Sequence, residues 1–236
     1  MLKTSTIPMT APGHNLVIAR VVFDRALPAA LFGALALGRL RGLSQVWTPP
    51  VDPGVQAWLM YALALGHGCL TLAFMALLSV LFLVRRTPVG GRAAPLAMVI
   101  ALAGTFVMWI ALAQPPTTDD WRVLATADLL MIVGLAFTLY ALGALRACFG
   151  LAPEARGLVT TGAYRLVRHP VYLGEFVVFL GALLPVLAPF TAFIFGVFCL
   201  LQARRAALEE AVLSATFADY PAYRRRTPAL LPWARF

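Results

Sequence analysis

The sequence predicts an all-α integral membrane protein: a polytopic helical bundle of five to six spans, including a C-terminal helical hairpin and ending in a cytoplasmic C-terminal cap. Three observations predict it. Of 236 residues, 61% are hydrophobic and only 12% charged, with a mean hydropathy of +0.84, whereas a soluble domain keeps about 25% charged residues to face water. The apolar residues gather in runs long enough for a hydrocarbon core about 30 Å thick, which takes about 20 residues per helix. Arginines stand mostly at the ends of those runs, ten of the eighteen from Arg146 onward, where cationic residues mark cytoplasmic loops and anionic lipid.

The first run, Leu16 to Leu40, is interrupted by Arg20, Asp24 and Arg25, so its apolar part begins near Ala26 and its first turns are interfacial, with the charges paired or snorkelling. No compact apolar core followed by a small-residue cleavage site comes after Lys3, so this span is expected to target the protein without a cleaved signal. A second run extends from Gln56 to Val84 and stops at Arg85-Arg86. The third goes from Pro95 to Ala113 and ends at Gln114-Pro115-Pro116, where prolines remove backbone donors. The fourth covers Trp121 to Leu145 and closes at Arg146. The stretch from Val171 to Ala203 is too long for one span and short for two, and Pro185 and Pro189 at its middle predict a tight hairpin that crosses the bilayer or dips into it. From Arg204 a polar, basic segment follows, expected outside the hydrocarbon.

Positive charge in short loops sets the expected orientation. Arg85, Arg86 and Arg92 put the second loop inside, and Asp119 and Asp120 put the third outside. Arg146, Arg156, Arg165 and Arg168 then mark the inner side again, to which the hairpin returns Arg204 and Arg205. Arg39 and Arg41 fall in an outer loop and run against this scheme. Both termini are expected in the cytoplasm, with residues 1–146 holding about four spans and residues 147–236 forming the hairpin, the tail and the chemistry.

The net charge of +9 and pI of 10.3 reach the range of nucleic-acid-binding domains, but the placement of the arginines excludes nucleic acid as a partner. Cys69, Cys148 and Cys199 have neither metal-site spacing nor an even disulfide framework, and no metal is expected. His67, between Gly66 and Gly68, reads as a hydrogen-bonded packing histidine within the second span. Asp128 is expected to face a polar interior or the outer interface, and Gly33 and Gly38 to be helix-packing positions.

Polar residues that are expensive in a membrane crowd into two segments flanking the hairpin, Arg156 to Glu175 and Arg204 to Tyr223. A hairpin returns the chain to the side it left, so the two are expected to meet at the inner face. In the first, Gly157 and Gly162 permit close backbone approach or positive φ, and Pro170 suits the first turn of a helix. His169 then stands at a helix N-terminus, where anionic groups are favoured; the alternative is an interfacial loop whose tyrosines and arginines anchor to headgroups. In the second, Arg205 and Glu209 are four residues apart on one helix face. They form either an ordinary ion pair or a cation and an anion facing one cavity, and spacing does not choose. Glu175 is a further candidate for the pocket wall.

The run Leu158-Val159-Thr160-Thr161-Gly162-Ala163-Tyr164, then Arg168-His169-Pro170-x-Tyr172-x-Gly174, then a hairpin, then Arg205-x-x-x-Glu209-Glu210, Phe217, Tyr220, Tyr223 and Leu231-Pro232, resembles the isoprenylcysteine carboxyl methyltransferase family over about the last third of the chain. The resemblance implies S-adenosylmethionine as cofactor, bound by Arg156, Gly157, Leu158, Val159, Tyr164, His169, Pro170, Val171, Tyr172 and Glu209. It implies that Arg205 contacts the acceptor carboxylate. The chain departs from the family at Arg156, where members carry histidine, and in the spacing of Phe217 and Tyr220, one residue shorter than in the eukaryotic form.

The expected reaction is methyl transfer to a lipophilic or small-molecule acceptor admitted from the bilayer, with the carboxylate of a prenylcysteine-like lipid first in line. An in-line displacement at a sulfonium needs no metal and, for a carboxylate, no general base, so catalysis rests on holding the partners in near-attack geometry and excluding water. Glu209 would take the cofactor ammonium, His169 its carboxylate, and Arg205 would orient the acceptor. Eighteen arginines against one lysine suggest a GC-rich bacterial coding sequence and an inner-membrane location. There the acceptor would instead be another lipid carboxylate, a thiol or an amine. An NADPH-dependent sterol-reductase-like enzyme and a transporter are the other readings; the second lacks paired intramembrane charges and repeats in the sequence.

Overall fold

The structure, a computed structural model, describes residues 21–46, 48–49, 51, 54–89 and 93–230. Arg20, Arg92 and Leu231-Pro232 lie outside the described residues. Every regular element among those described is helical, and five helices are long and apolar enough to cross a membrane.

Helix α1 (Leu27–Val46) follows a single π turn, Val22–Ala26, that carries Asp24 and Arg25. The charged start of the first run is thus taken out of regular α-helix, and Arg85 reaches across from the second helix to donate to the Asp24 carbonyl. Burial, reinforced by Arg156, lowers the Arg85 pKa to about 10. Helix α2 (Val55–Val84) has 30 residues, a length of about 45 Å that exceeds the hydrocarbon core by several turns. Helix α3 (Pro95–Leu112) starts with a proline at its first position and is interrupted by a turn at Val107. Helix α4 (Trp121–Leu145) is N-capped by Asp120, whose carboxylate accepts from the Arg122 N–H at 2.9 Å, satisfying a donor the helix cannot.

The hairpin consists of α5 (Pro170–Leu183), a 3₁₀ turn at Leu184–Val186, and α6 (Pro189–Thr216). Although α5 has only 14 residues, its tip reaches the loop between α3 and α4: the Thr117 N–H donates to the Pro185 carbonyl at 2.7 Å, and the Thr117 hydroxyl lies within reach of the Pro185 and Leu187 carbonyls. The hairpin therefore runs the full height of the bundle. The apolar stretch ends at Ala203, and the helix continues unbroken past it to Thr216, which places Arg205 and Glu209 on one helix as read, because Arg204 to Glu210 contains no residue that breaks a helix. A short α7 (Tyr220–Arg226) closes the described chain.

Two packed layers share α4 and α5. On one side Ala29, Leu78, Leu81, Phe82, Leu142 and Phe149 join α1, α2 and the end of α4; on the other Met108, Ala111, Ile194 and Phe198 join α3 and α6. The outward face is apolar, with Phe23, Leu96, Trp109, Phe193 and Leu200 all more than half exposed, a surface suited to lipid and not to water. Helices α4 and α5 approach through glycines. A Cβ on Gly134 would lie 2.7 Å from the Val178 nitrogen, one on Gly174 would strike the Thr138 hydroxyl, and one on Gly181 would lie 2.7 Å from the Ala127 carbonyl. Membrane helices associate through such close backbone packing, because lipid tails compete with larger apolar side chains. Gly181→Val is therefore expected to destabilise the bundle by about 1–3 kcal/mol through overpacking, read as earlier thermal unfolding in detergent. An unchanged midpoint would mean the two helices separate more easily than their packing implies.

Gly38, read from the sequence as a packing position, is not one: a Cβ there would meet nothing within 4 Å. A Cβ on Gly33 would lie 3.4 Å from the Ser79 hydroxyl, an ordinary contact. His67 is held as expected. Its Nδ1 lies 3.1 Å from Asp128 Oδ1, joining α2 to α4, and its carbonyl accepts from the Thr71 hydroxyl.

Candidate functional site

The ends of α2, α4 and α6 and the beginnings of α3 and α5 come together at one end of the bundle. Backbone pairs knit the connections there: Arg86 N–H to the Ala147 carbonyl at 2.7 Å and Val89 N–H to the Ala155 carbonyl at 2.6 Å. Positive φ at Gly162, 61°, turns the chain into a 3₁₀ turn bearing Tyr164, a conformation favoured by glycine. His169 then flanks α5, with Pro170 at the first helical position, where no N–H is needed. The amides of Arg168 and His169 donate to the carbonyls of Pro228 and Ala229 at 2.8 and 3.1 Å, so the segment after α7 is strapped to the start of α5.

Against this corner stands the polar turn of α6. Tyr172 donates its hydroxyl to Glu209 Oε2 at 2.7 Å, and the Arg205 guanidinium lies over the Tyr172 ring, 4.8 Å from its centroid. The His169 ring stacks on Tyr172 at 5.3 Å with 3° between the planes. Its Nε2 faces Glu210 Oε1 at 3.0 Å and its Nδ1 faces Glu209 Oε2 at 3.8 Å. Arg205 and Glu209 thus converge on the same aromatic ring. Of the two glutamates, Glu209 is the accessible one: its side chain is 35% exposed against 12% for Glu210 and 3% for His169.

Arg205 itself is 4% exposed. Its Nη2 donates to the Leu151 carbonyl at 2.7 Å, while Nε and Nη1 have no hydrogen-bond partner among the described residues. Each unsatisfied buried donor costs about 1–3 kcal/mol, so these two are available to a water, an ion or a ligand. One turn away on α5, Glu175 accepts from the Gln202 amide of α6. This places a second carboxylate beside Arg205, whose charge it faces.

Tyr164 is buried and lends its carbonyl to the Tyr223 hydroxyl at 2.7 Å. Burial raises its phenol well above the ordinary value, and the Glu209 charge pushes the same way. Burial likewise raises Tyr220 and Tyr223, so all three remain neutral donors near pH 7. The Tyr220 hydroxyl is buried without a hydrogen-bond partner among the described residues.

The remaining sequence candidates lie apart from this cluster. Arg156 is buried and donates to the Arg86 carbonyl and to Glu154, tying the loop before the site to the end of α2. Gly157 is held against Cys148, whose sulfur would lie 2.6 Å from an added Cβ, which explains why glycine stands there. Leu158 and Val159 are half-buried and Pro170 is buried. Val171 packs on the core between α1, α2 and α4.

The sequence candidates did not include Glu210, which is the hub of the tail. Arg168 Nε and Arg224 Nε each lie 3.2 Å from its carboxylate, in addition to His169. Two successive glutamates on a helix point about 100° apart, so one can serve a pocket while the other serves a neighbouring segment. Glu210→Gln is expected to loosen the strap, speeding proteolytic cleavage after Arg224 to Arg226 several-fold. An unchanged cleavage rate would mean that the tail is held without Glu210.

Residues 123–220 match the phospholipid methyltransferase family. The matched stretch runs from α4 through the start of α7 and contains every member of the cluster around Tyr172. The nickel-cobalt-cadmium resistance protein NccN of Alcaligenes xylosoxydans xylosoxydans is 33% identical over 117 residues, 48% of this chain and 53% of that protein; the chain thus spans about half the length of that relative. Among the described residues no three His, Cys, Asp or Glu side chains gather into a group fit to hold a metal ion.

Proposed function

We propose that the protein transfers a methyl group from S-adenosylmethionine to a lipid-like acceptor at the inner face of a bacterial cytoplasmic membrane, with both termini in the cytoplasm. The observation that carries this reading is the convergence of Glu209, His169 and Arg205 on Tyr172. An accessible carboxylate fixed by the Tyr172 hydroxyl fits the ammonium of an amino-acid-derived cofactor, and the buried guanidinium beside it, with unpartnered donors, fits an anionic group on the acceptor. S-adenosylmethionine supplies a methyl group already activated on a sulfonium, so the chain has only to bind, orient and exclude water.

In this reading Glu209 takes the cofactor ammonium, and the Tyr172 hydroxyl fixes the carboxylate for that task. His169, both of whose ring nitrogens face carboxylates, positions Glu209 and Glu210. That is a different role from receiving an anionic cofactor group. Arg205 directs its free edge at the anionic group of the acceptor. A lipid carboxylate fits that edge directly. The family's name favours a second acceptor, a phospholipid whose phosphate meets Arg205 and whose amine is methylated.

Calorimetric titration of the detergent-purified protein with S-adenosylmethionine, its demethylated product and NADPH tests the reading. Binding of the two sulfur nucleosides is expected, and binding of NADPH alone would replace it with a reductase. Radiolabelled methyl transfer to a prenylcysteine analogue, to dodecanoate, to dodecanethiol and to phosphatidylethanolamine vesicles distinguishes the acceptors.

A further inference from the structure

Glu175 lies inside α5, where no other residue from Val171 to Leu183 is charged, and the assignments above give it no part in the reaction. An ionisable side chain within a span is costly and marks a functional group by default. Its surroundings hold it in place. Tyr172 and Glu175 are three residues apart on one face of α5, and Gln202 and Arg205 are three apart on one face of α6, so the two helices meet in two successive rungs. In one, the Arg205 guanidinium lies 4.8 Å from the centroid of the Tyr172 ring; in the other, the Gln202 amide donates to Glu175 Oε2. Gln202 is buried and is backed by α3, because a Cβ on Gly104 would come within 3.1 Å of its Oε1. With that side occupied, its amide nitrogen is aimed at the carboxylate.

Glu175 and Arg205 face each other's charge, yet no hydrogen bond joins them. Arg205 keeps Nε and Nη1 unpartnered, and the Glu175 carboxylate, on a half-buried residue, accepts only from Gln202 among the described residues. Tyr172, on its own helix, is the other titratable group facing it; α3 brings Gly104 to the Gln202 side, and α4 meets this stretch through Gly134 and Thr138 against Gly174. A group lying between the two charges has to accept from the guanidinium and donate to the carboxylate. An ionised carboxylate has no proton to donate, and an ammonium has no lone pair to offer and is repelled by Arg205. A thiol does both, with its sulfur lone pairs toward Arg205 and its proton toward Glu175.

We propose that Glu175 is a general base through which this site also methylates a thiol. The inference rests on the methyltransferase reading and adds an activity to it, since a carboxylate acceptor needs no base. As a sulfur lone pair of the thiol forms the bond to the methyl carbon, the S–H proton passes to the Glu175 carboxylate. The bond from that carbon to the sulfonium breaks, and its electron pair stays on the cofactor sulfur. The products are a methyl thioether, the demethylated cofactor and a protonated Glu175 that returns its proton to water. Arg205 stabilises the thiolate charge that develops on the way.

The test follows radiolabelled methyl transfer to dodecanethiol and, separately, to dodecanoate by the full chain in detergent, from about pH 6.5 to 8.5, where a free alkyl thiol is mostly protonated. Wild type is expected to methylate dodecanethiol at a rate that levels off within this range, once Glu175 is ionised. Glu175→Gln keeps the shape of the side chain and is expected to slow that reaction about a hundredfold at pH 7, the contribution of a positioned base. Its residual rate should rise about tenfold per pH unit with the thiolate fraction, while the rate with dodecanoate and the thermal midpoint change little. Glu175→Asp is expected to restore the levelling profile at a lower rate. Equal losses toward both acceptors in Glu175→Gln would make Glu175 a structural counterion of Arg205 and overturn the proposal. Wild type that methylates dodecanoate or dodecylamine and leaves dodecanethiol untouched overturns it as well. Failure of the methyltransferase reading shows separately, as wild-type protein that binds no S-adenosylmethionine and methylates none of the three.

Discussion

Glu209→Gln is expected to weaken S-adenosylmethionine binding by about ten- to a hundredfold while leaving the protein folded. Hydrogen bonds to charged groups contribute about 1.5–3 kcal/mol, and each 1.4 kcal/mol is a factor of ten in affinity. The substitution keeps the side chain's shape and its contact with the Tyr172 hydroxyl, now 2.7 Å from Oε2, and removes only the charge offered to an ammonium. Because Glu209 is the exposed member of its pair, its charge does not hold the bundle together, and thermal unfolding should shift little. Tyr172→Phe is expected to have a smaller effect on affinity, about three- to tenfold, since the carboxylate remains but is no longer fixed in direction. Calorimetry on both variants and on wild type decides: if Glu209→Gln binds as wild type does, the ammonium is held elsewhere and the assignment of this corner as the cofactor site fails.

How much of this was legible in the sequence follows from which forces write themselves into local pattern. The spans were, because a bilayer demands a minimum run of apolar residues and charges or prolines at its borders; Val55–Val84 and Trp121–Leu145 agree with the sequence reading to within a residue. The meeting of the two polar segments followed from hairpin topology alone. The end of α6 at Thr216 did not, since polarity marks where solvent or a site begins and says nothing about where a helix ends. The division of labour between Glu209 and Glu210 was equally hidden. Their neighbours Arg168 and Arg224 are distant in sequence, and only the three-dimensional course of the tail tells which carboxylate is buried. Val171 shows the same limit from the other side: it belongs to the block that carries the resemblance, yet it faces the apolar core, because successive residues on a helix point in different directions. Gln202 stands three residues before Arg205 on the same face of α6, and that spacing was the available signal for its contact with Glu175.

Arg205→Ala is expected to lower the rate of methyl transfer to an anionic acceptor about a hundredfold or more, with S-adenosylmethionine affinity changing by less than about threefold. The magnitude follows from orientation, since a misplacement of about 1 Å at a reacting centre costs on the order of 10²-fold. The buried guanidinium is fixed from two sides, by the Leu151 carbonyl and the Tyr172 ring, and so presents Nε and Nη1 in one direction. Sharing part of its charge with the ring also tempers its hold on the acceptor. This matters because an acceptor carboxylate loses charge as the new bond forms, and a stronger clamp would stabilise the ground state more than the transition state. Arg205→Lys separates this role from a structural one. Lysine restores a charge in the same space but cannot reproduce the planar fork, so the variant should recover thermal stability relative to alanine while the rate stays low. The comparison is read as a kcat change against calorimetric affinity for S-adenosylmethionine. Losses of rate and affinity in equal proportion would move Arg205 into the cofactor site, and a lysine variant as fast as wild type would reduce its part to holding the loop at Leu151 against α6.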